Sequence, residues 1–126
     1  MNTVLLVDDS LVALHVLGRR LRAEGFAVRE ESTARGASAV DPAELLCAIV
    51  DLHLADGEGP AISSTLRARR PALPVAFFTA GASSLLLEQA RAGGPVFRKN
   101  DVEGLLAWTH RQRAGSRRPS QPPPTK

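Results

Sequence analysis

Short apolar runs alternate with amphipathic stretches along the whole chain. Val4, Leu5, Leu6 and Val7 form a continuous apolar run, as a strand buried on both faces requires. Asp8, Asp9 and Ser10 follow with side-chain oxygens suited to capping a helix. Residues 11–24 read as that helix, with Val12, Leu14, Leu17 and Leu21 as its apolar positions, Arg19, Arg20 and Arg22 off them, and Gly25 to end it. A weaker strand is predicted at 26–30, then a short Ala-rich helix at 34–40 closed by Asp41 and Pro42. Cys47, Ala48, Ile49 and Val50 make the next apolar run, which ends in Asp51. A Gly-rich loop at 56–59 leads to Pro60, which fits the first turn of a helix reaching Arg69 with Ile62 and Leu66 inward.

The second half continues the alternation. Pro71 and Pro74 bracket a connector, and residues 75–78 form a fourth strand ending in Thr79. A short helix at 85–92 is stopped by Gly93 and Gly94, Val96 and Phe97 make a brief fifth strand before Lys99, and Asp101 caps a last helix to about Arg113. Five strands alternating with five helices predict an α/β domain over residues 1–113, with a parallel sheet and helices on both faces. Residues 114–126 hold four prolines and almost nothing apolar, so a disordered or polyproline-like tail is expected, too short to bury a core of its own.

Charge and composition narrow the class. The net charge is +3, but five of the 16 basic residues and none of the 13 acidic ones lie in residues 111–126. The body is therefore slightly acidic, which argues against a dedicated nucleic-acid-binding domain; the tail could support only nonspecific, salt-sensitive contacts. One cysteine, Cys47, excludes an internal disulfide and a multi-cysteine zinc site. No apolar run approaches a membrane span, and the first residues meet acids at once instead of a basic signal region. A cytoplasmic protein without membrane association is expected. Aromatics are scarce at 4%, so the core must come from Leu, Val, Ile and Ala. His15 and His110 show no metal-ligand spacing, Cys47 reads as a small core residue, and Trp108 as a packing residue.

In open parallel sheets, ligands collect at the carboxyl ends of the strands. Asp8 and Asp9 fall there after strand 1, Asp51 after strand 3, Thr79 after strand 4 and Lys99 after strand 5. Singly, each has a plain structural explanation: a cap, a loop acid, a strand end, a surface lysine. Jointly they describe one pocket. Three converging carboxylates repel one another unless a cation sits among them. Oxygen ligands without a His/Cys set point to Mg²⁺, which shares itself with phosphate. A lysine charge and a threonine hydroxyl suit phosphoryl oxygens, so the set fits formation of an acyl phosphate through positioning and charge neutralisation.

These residues resemble the receiver domain of two-component response regulators. The matching features are Asp8-Asp9, the segment from Asp51 through His53 and Asp56 to Gly59, Thr79-Ala80 and Lys99; the intervals Asp8 to Asp51, Asp51 to Thr79 and Thr79 to Lys99 are 43, 28 and 20 residues. The resemblance spans roughly residues 3–112. It implies a flavodoxin-like, doubly wound five-stranded parallel sheet in the order 2-1-3-4-5, with helices on both faces. It also implies that Asp51 accepts a phosphoryl group from a sensor histidine kinase or phosphotransfer protein. Asp8, Asp9, Asp51 and the backbone carbonyl of His53 would hold Mg²⁺, and Thr79 and Lys99 would contact the phosphoryl oxygens. The resemblance implies a signalling protein rather than an enzyme; with only a short tail after the domain, a stand-alone receiver is expected, acting on a downstream protein target that the sequence does not name.

Several positions depart from the family pattern. Where the family usually carries an aromatic three residues before the lysine, Val96 stands, and Phe97 should point to the opposite face. Asn100 replaces the usual proline after the lysine; a cis bond there would cost about 3 kcal/mol, so a trans peptide is expected. The Thr79–Lys99 interval is slightly short, and Ala55 replaces a common proline. These changes leave a second reading open, a pseudo-receiver serving as a phosphorylation-independent interaction module. A dehalogenase-like phosphatase would want an acid where His53 stands, and no Gly-x-Gly-x-x-Gly follows the first strand for a dinucleotide.

Overall fold

The computed structural model describes residues 1–117. The elements are β1 (Thr3–Val7), α1 (Leu11–Ala23), β2 (Ala27–Glu31), α2 (Ala34–Ser38), a 3₁₀ turn (Pro42–Glu44), β3 (Leu45–Val50), β4 (His53–Leu54), β5 (Gly57–Glu58), α3 (Gly59–Arg69), β6 (Val75–Thr79), α4 (Ser84–Gly93), β7 (Val96–Arg98) and α5 (Val102–Arg117). Five strands form one parallel sheet in the order β2-β1-β3-β6-β7, and β4 and β5 form a separate antiparallel hairpin. Setting the hairpin aside, this is the expected 2-1-3-4-5 arrangement. The hairpin and the 3₁₀ turn, each only a few residues long, have no apolar period to mark them; the sequence predicts only a loop at 56–59 there.

Alternation along the strands divides the core in two. Leu5, Val7, Ala48, Val50, Val75 and Phe77 pack with Ala37, Ile62, Leu66, Leu86 and Ala90, on the side covered by α2, α3 and α4. Val4, Leu6, Ile49, Ala76 and Phe78 pack with Leu14, Leu17, Leu21, Leu105 and Trp108 of α1 and α5. Val96 joins the first core and Phe97 the second, on opposite faces of β7 as a strand requires. The register between β1 and β3 slips between Thr3 and Val4, so Leu46 and the buried Cys47 both serve the α1/α5 core. Burial pushes the Cys47 thiol up to about 12. Among the described residues no peptide bond is cis, and the Lys99–Asn100 link is trans.

Helix α1 corrects one sequence reading. Its buried face is Leu14, Leu17, Gly18 and Leu21, whereas Val12 is 74% exposed. Two residues on a helix are separated by about 200°, so Val12 cannot share a face with Leu14. It belongs instead with the exposed Leu11 and Val16. Helix α5 also runs four residues past the predicted end, since nothing in 114–117 breaks a helix before the proline at 119. The rest of the expected tail, residues 118–126, lies outside the described residues.

At the end of α4 the backbone passes so close to β6 that a Cβ on Gly94 would sit 2.0 Å from the Val75 carbonyl oxygen. Replacing Gly94 with Ala should therefore lower the unfolding free energy by about 1–3 kcal/mol in urea melts. Gly115→Ala, whose added methyl meets nothing within 4 Å, should cost nothing.

Candidate functional site

The sheet delivers its polar residues to one end. Asp8 follows β1 directly, and its backbone N–H donates to the Glu31 carbonyl (3.2 Å); Asp51 follows β3, its N–H donating to the Val7 carbonyl (2.9 Å). Lys99 follows β7, its N–H donating to the Thr79 carbonyl (2.9 Å). Neighbouring strands thus hold the site residues by the same ladder that builds the sheet. Ser10, not either aspartate, caps α1 by accepting from the Ala13 N–H (3.2 Å). Asp8 accepts from the Ser10 N–H (2.9 Å), which shapes the turn and aims the rest of its carboxylate inward.

Carboxylate oxygens of Asp8, Asp9 and Asp51 lie within 4.8 Å of one another. Asp8 is buried, Asp51 partly buried and Asp9 exposed. The Lys99 ammonium contacts Asp8 Oδ2 and stands 4.0 Å from Asp51 Oδ2. Its other side faces the Phe78 ring, with the nitrogen 5.4 Å from the centroid. One ammonium does not balance this cluster. Burial, with the nearby Asp8 charge adding to it, pushes the Asp51 carboxyl up to about 6, against the pull of Lys99 and the His53 and Leu52 backbone N–H groups.

A divalent cation fits this arrangement on the chemistry of the donors. Three hard anionic oxygens converge, one of the acids is raised by burial with the Asp8 charge beside it, and solvent reaches the Asp9 side. The Thr79 hydroxyl is held by its own loop. Thr79 is buried, and its hydroxyl is engaged with the backbone of Gly81, accepting from the N–H (3.0 Å) and donating to the carbonyl (3.1 Å). It lines a cleft of about 140 Å³ with Gly81, Val96 and Arg98 on the α4 side of the sheet. The His53 side chain is exposed, and its backbone pairs with Glu58 in the hairpin.

Three supports of the site lie in or beside the Asp51–Gly59 segment that carries the resemblance, yet the sequence assigns them no role. The Ala55 N–H donates to Asp9 Oδ2 (3.1 Å). Asp56 caps α2 from a distance in sequence, accepting from the N–H groups of Ala34 (2.7 Å) and Arg35 (3.0 Å), and those bonds hold its carboxyl below the usual range. Gly59 lies against Asp51 itself: a Cβ there would come 2.6 Å from the Asp51 carbonyl oxygen and 3.1 Å from the Phe77 ring. Gly59 ends the segment that carries the resemblance, but in the sequence its contact with Asp51 has no signal.

Residues 4–96 match the family model of the response regulator receiver domain. The acid tolerance regulatory protein ActR of Rhizobium meliloti (strain 1021) is 38% identical over 70 residues, which are 55% of this chain and 36% of that protein. The chain thus matches about a third of the length of this relative. Among solved structures, a CheY-like receiver domain protein from Methanospirillum hungatei JF-1 superposes with a TM-score of 0.77 at 23% identity, covering 91% of this chain and 98% of that one. A response regulator from Burkholderia pseudomallei, described with a phosphorylated aspartic acid, a calcium ion and citrate, has a TM-score of 0.70 at 26% identity. It covers 92% of this chain and 73% of its own.

The raised Asp51 carboxyl has a measurable consequence in the metal-free protein. An aspartate free of the fold titrates near 3.8, and here it does so at about 6. Between those values the folded state binds more protons, so stability falls as pH rises through the window and stays low above it. Asp51→Asn should therefore stabilise the metal-free protein at neutral pH by about 1–3 kcal/mol, the gain vanishing by about pH 4. Urea melts across that range check it; an Asn variant no more stable than the parent at neutral pH would contradict the raised Asp51 carboxyl.

Proposed function

The chain belongs to the response regulator receiver domain family, and on that premise we propose that Asp51 accepts a phosphoryl group from a histidine kinase or a phosphotransfer protein. The observation that carries this reading is the convergence of Asp8, Asp9 and Asp51 with Lys99 reaching between Asp8 and Asp51. The Burkholderia relative, described with a phosphorylated aspartic acid and a metal ion, supports the same chemistry here.

In the transfer, an Asp51 carboxylate oxygen attacks phosphorus, the bond from phosphorus to the donor's imidazole nitrogen breaks, and that nitrogen keeps the electron pair. The product is an acyl phosphate on Asp51, later hydrolysed by water to carboxylate and inorganic phosphate. When bound, Mg²⁺ supplies charge neutralisation for the phosphoryl oxygens and the carboxylates. Asp8, Asp9, Asp51 and the His53 carbonyl would hold it. Lys99 then exchanges its contact with Asp8 for a phosphoryl oxygen. Thr79 leaves the Gly81 backbone to donate to another. Output passes to a downstream protein through altered contacts, in the cytoplasm. Among the described residues no helix is long and apolar enough to cross a membrane.

The donor docks on α1. Leu11, Val12 and Val16 are each more than 60% exposed on the first turns of the helix that follows Asp8 and Asp9, an unusual apolar face. A basic side chain at Val12 would disturb that face, and labelling by a small phosphodonor reports whether it also disturbs the carboxylates.

Incubation with Mg²⁺ and acetyl phosphate should add the mass of one phosphoryl group to the parent and none to Asp51→Asn, read by intact mass. No addition to the parent would favour the phosphorylation-independent interaction module instead. Val12→Lys should keep its labelling by acetyl phosphate and lose tenfold or more of its transfer rate from a protein donor, about 1.4 kcal/mol. Equal loss from both donors would place the defect in the pocket rather than on the docking face.

A further inference from the structure

The β4–β5 hairpin touches the cation pocket and α2 at the same time. On one side the Ala55 N–H donates to Asp9 Oδ2 (3.1 Å). On the other, Asp56 accepts from the N–H groups of Ala34 and Arg35, two of the N–H groups that a helix leaves without internal partners. The next residue, Gly57, lies so close to α2 that a Cβ on it would meet the Ala34 methyl at 2.9 Å. A two-residue strand pair has little stability of its own. Its place depends on what it is fastened to, and the pair of bonds from Asp56 is its polar fastening to α2.

We propose that Asp56 is a positioning residue for the cation pocket: by capping α2 it clamps the hairpin so that the Ala55 N–H keeps Asp9 turned toward Asp8 and Asp51. The inference rests on the reading of these three carboxylates as a Mg²⁺ site, yet the clamp itself exists without the ion. Asp56 is exposed and contacts no other acid of the pocket, so its influence runs through backbone alone.

Helix α2 supplies its own control. Thr33 caps the same helix, its hydroxyl oxygen accepting from the Gly36 N–H (2.9 Å), without touching the hairpin. Asp56→Ala, Asp56→Asn and Thr33→Ala should be compared in the full chain. Two readouts are needed: exchange of the Ala55 amide in metal-free protein, and Mg²⁺ affinity from the shift in melting temperature on titration with the ion alone. Asp56→Ala should speed Ala55 exchange at least tenfold and weaken Mg²⁺ binding about fivefold. Asp56→Asn, which keeps one acceptor oxygen, should fall between it and the parent. Thr33→Ala should lower the melting temperature while leaving both readouts within twofold. If Thr33→Ala reproduces the Asp56→Ala pattern, or if Ala55 exchange is unchanged in Asp56→Ala, the clamp is refuted. If the parent binds no Mg²⁺ while Ala55 still loses protection in Asp56→Ala, the clamp stands and it is the cation reading that fails.

Discussion

One ammonium among several carboxylates governs this molecule. Lys99 reaches from the short edge strand β7 to contact Asp8 and lies 4.0 Å from Asp51, with Asp9 nearby and exposed. Unit charges at such distances interact by several kcal/mol at an intermediate dielectric, so a single cation cannot satisfy all of the acids. The pocket is left short of positive charge, and the Asp51 carboxyl is raised chiefly by its burial, with the Asp8 charge adding to it. A fold that holds acids together at its own expense is arranged for a ligand that repays the repulsion.

The sheet makes this convergence unavoidable. Parallel strands end at the same edge, and β1, β3 and β7 each place a site residue one position past their own last residue: Asp8 after Val7, Asp51 after Val50 and Lys99 after Arg98. The same alternation separates Thr79 from Lys99: Phe78 faces α1 and α5 beneath the lysine, while Phe77 and Thr79 face α4. With Val96 on the α4 side and Phe97 on the other, no aromatic ring from β7 fills the cleft beside Thr79. Movement of the Thr79 hydroxyl away from Gly81 would therefore be answered by aliphatic packing and by the loop before α4.

Much of this was legible before any coordinates. The apolar runs at Val4–Val7 and Cys47–Val50 located two central strands because a buried strand has few other ways to be written. Asp8, Asp9, Asp51 and Lys99 were legible as one group because their places relative to those runs bring them to one edge. What escaped reading was made by contacts between segments. Val12 is apolar yet exposed, and only its angle from Leu14 reveals it. Asp56 caps a helix that lies 22 residues earlier, and Gly59 is required by the Asp51 carbonyl beside it. Neither local propensity nor periodicity encodes such partners.

The single cysteine has a use that follows from its depth. Cys47 lies in the middle of the central strand, fully shielded, with its thiol held protonated far above neutral pH. Thiol-selective reagents find no thiol on the native surface, so the rate at which they modify Cys47 is a clock for the opening of β3. Cysteines introduced on α1 or at the pocket rim could accordingly carry spin or fluorescent labels in an otherwise silent background, with no need to remove the natural thiol.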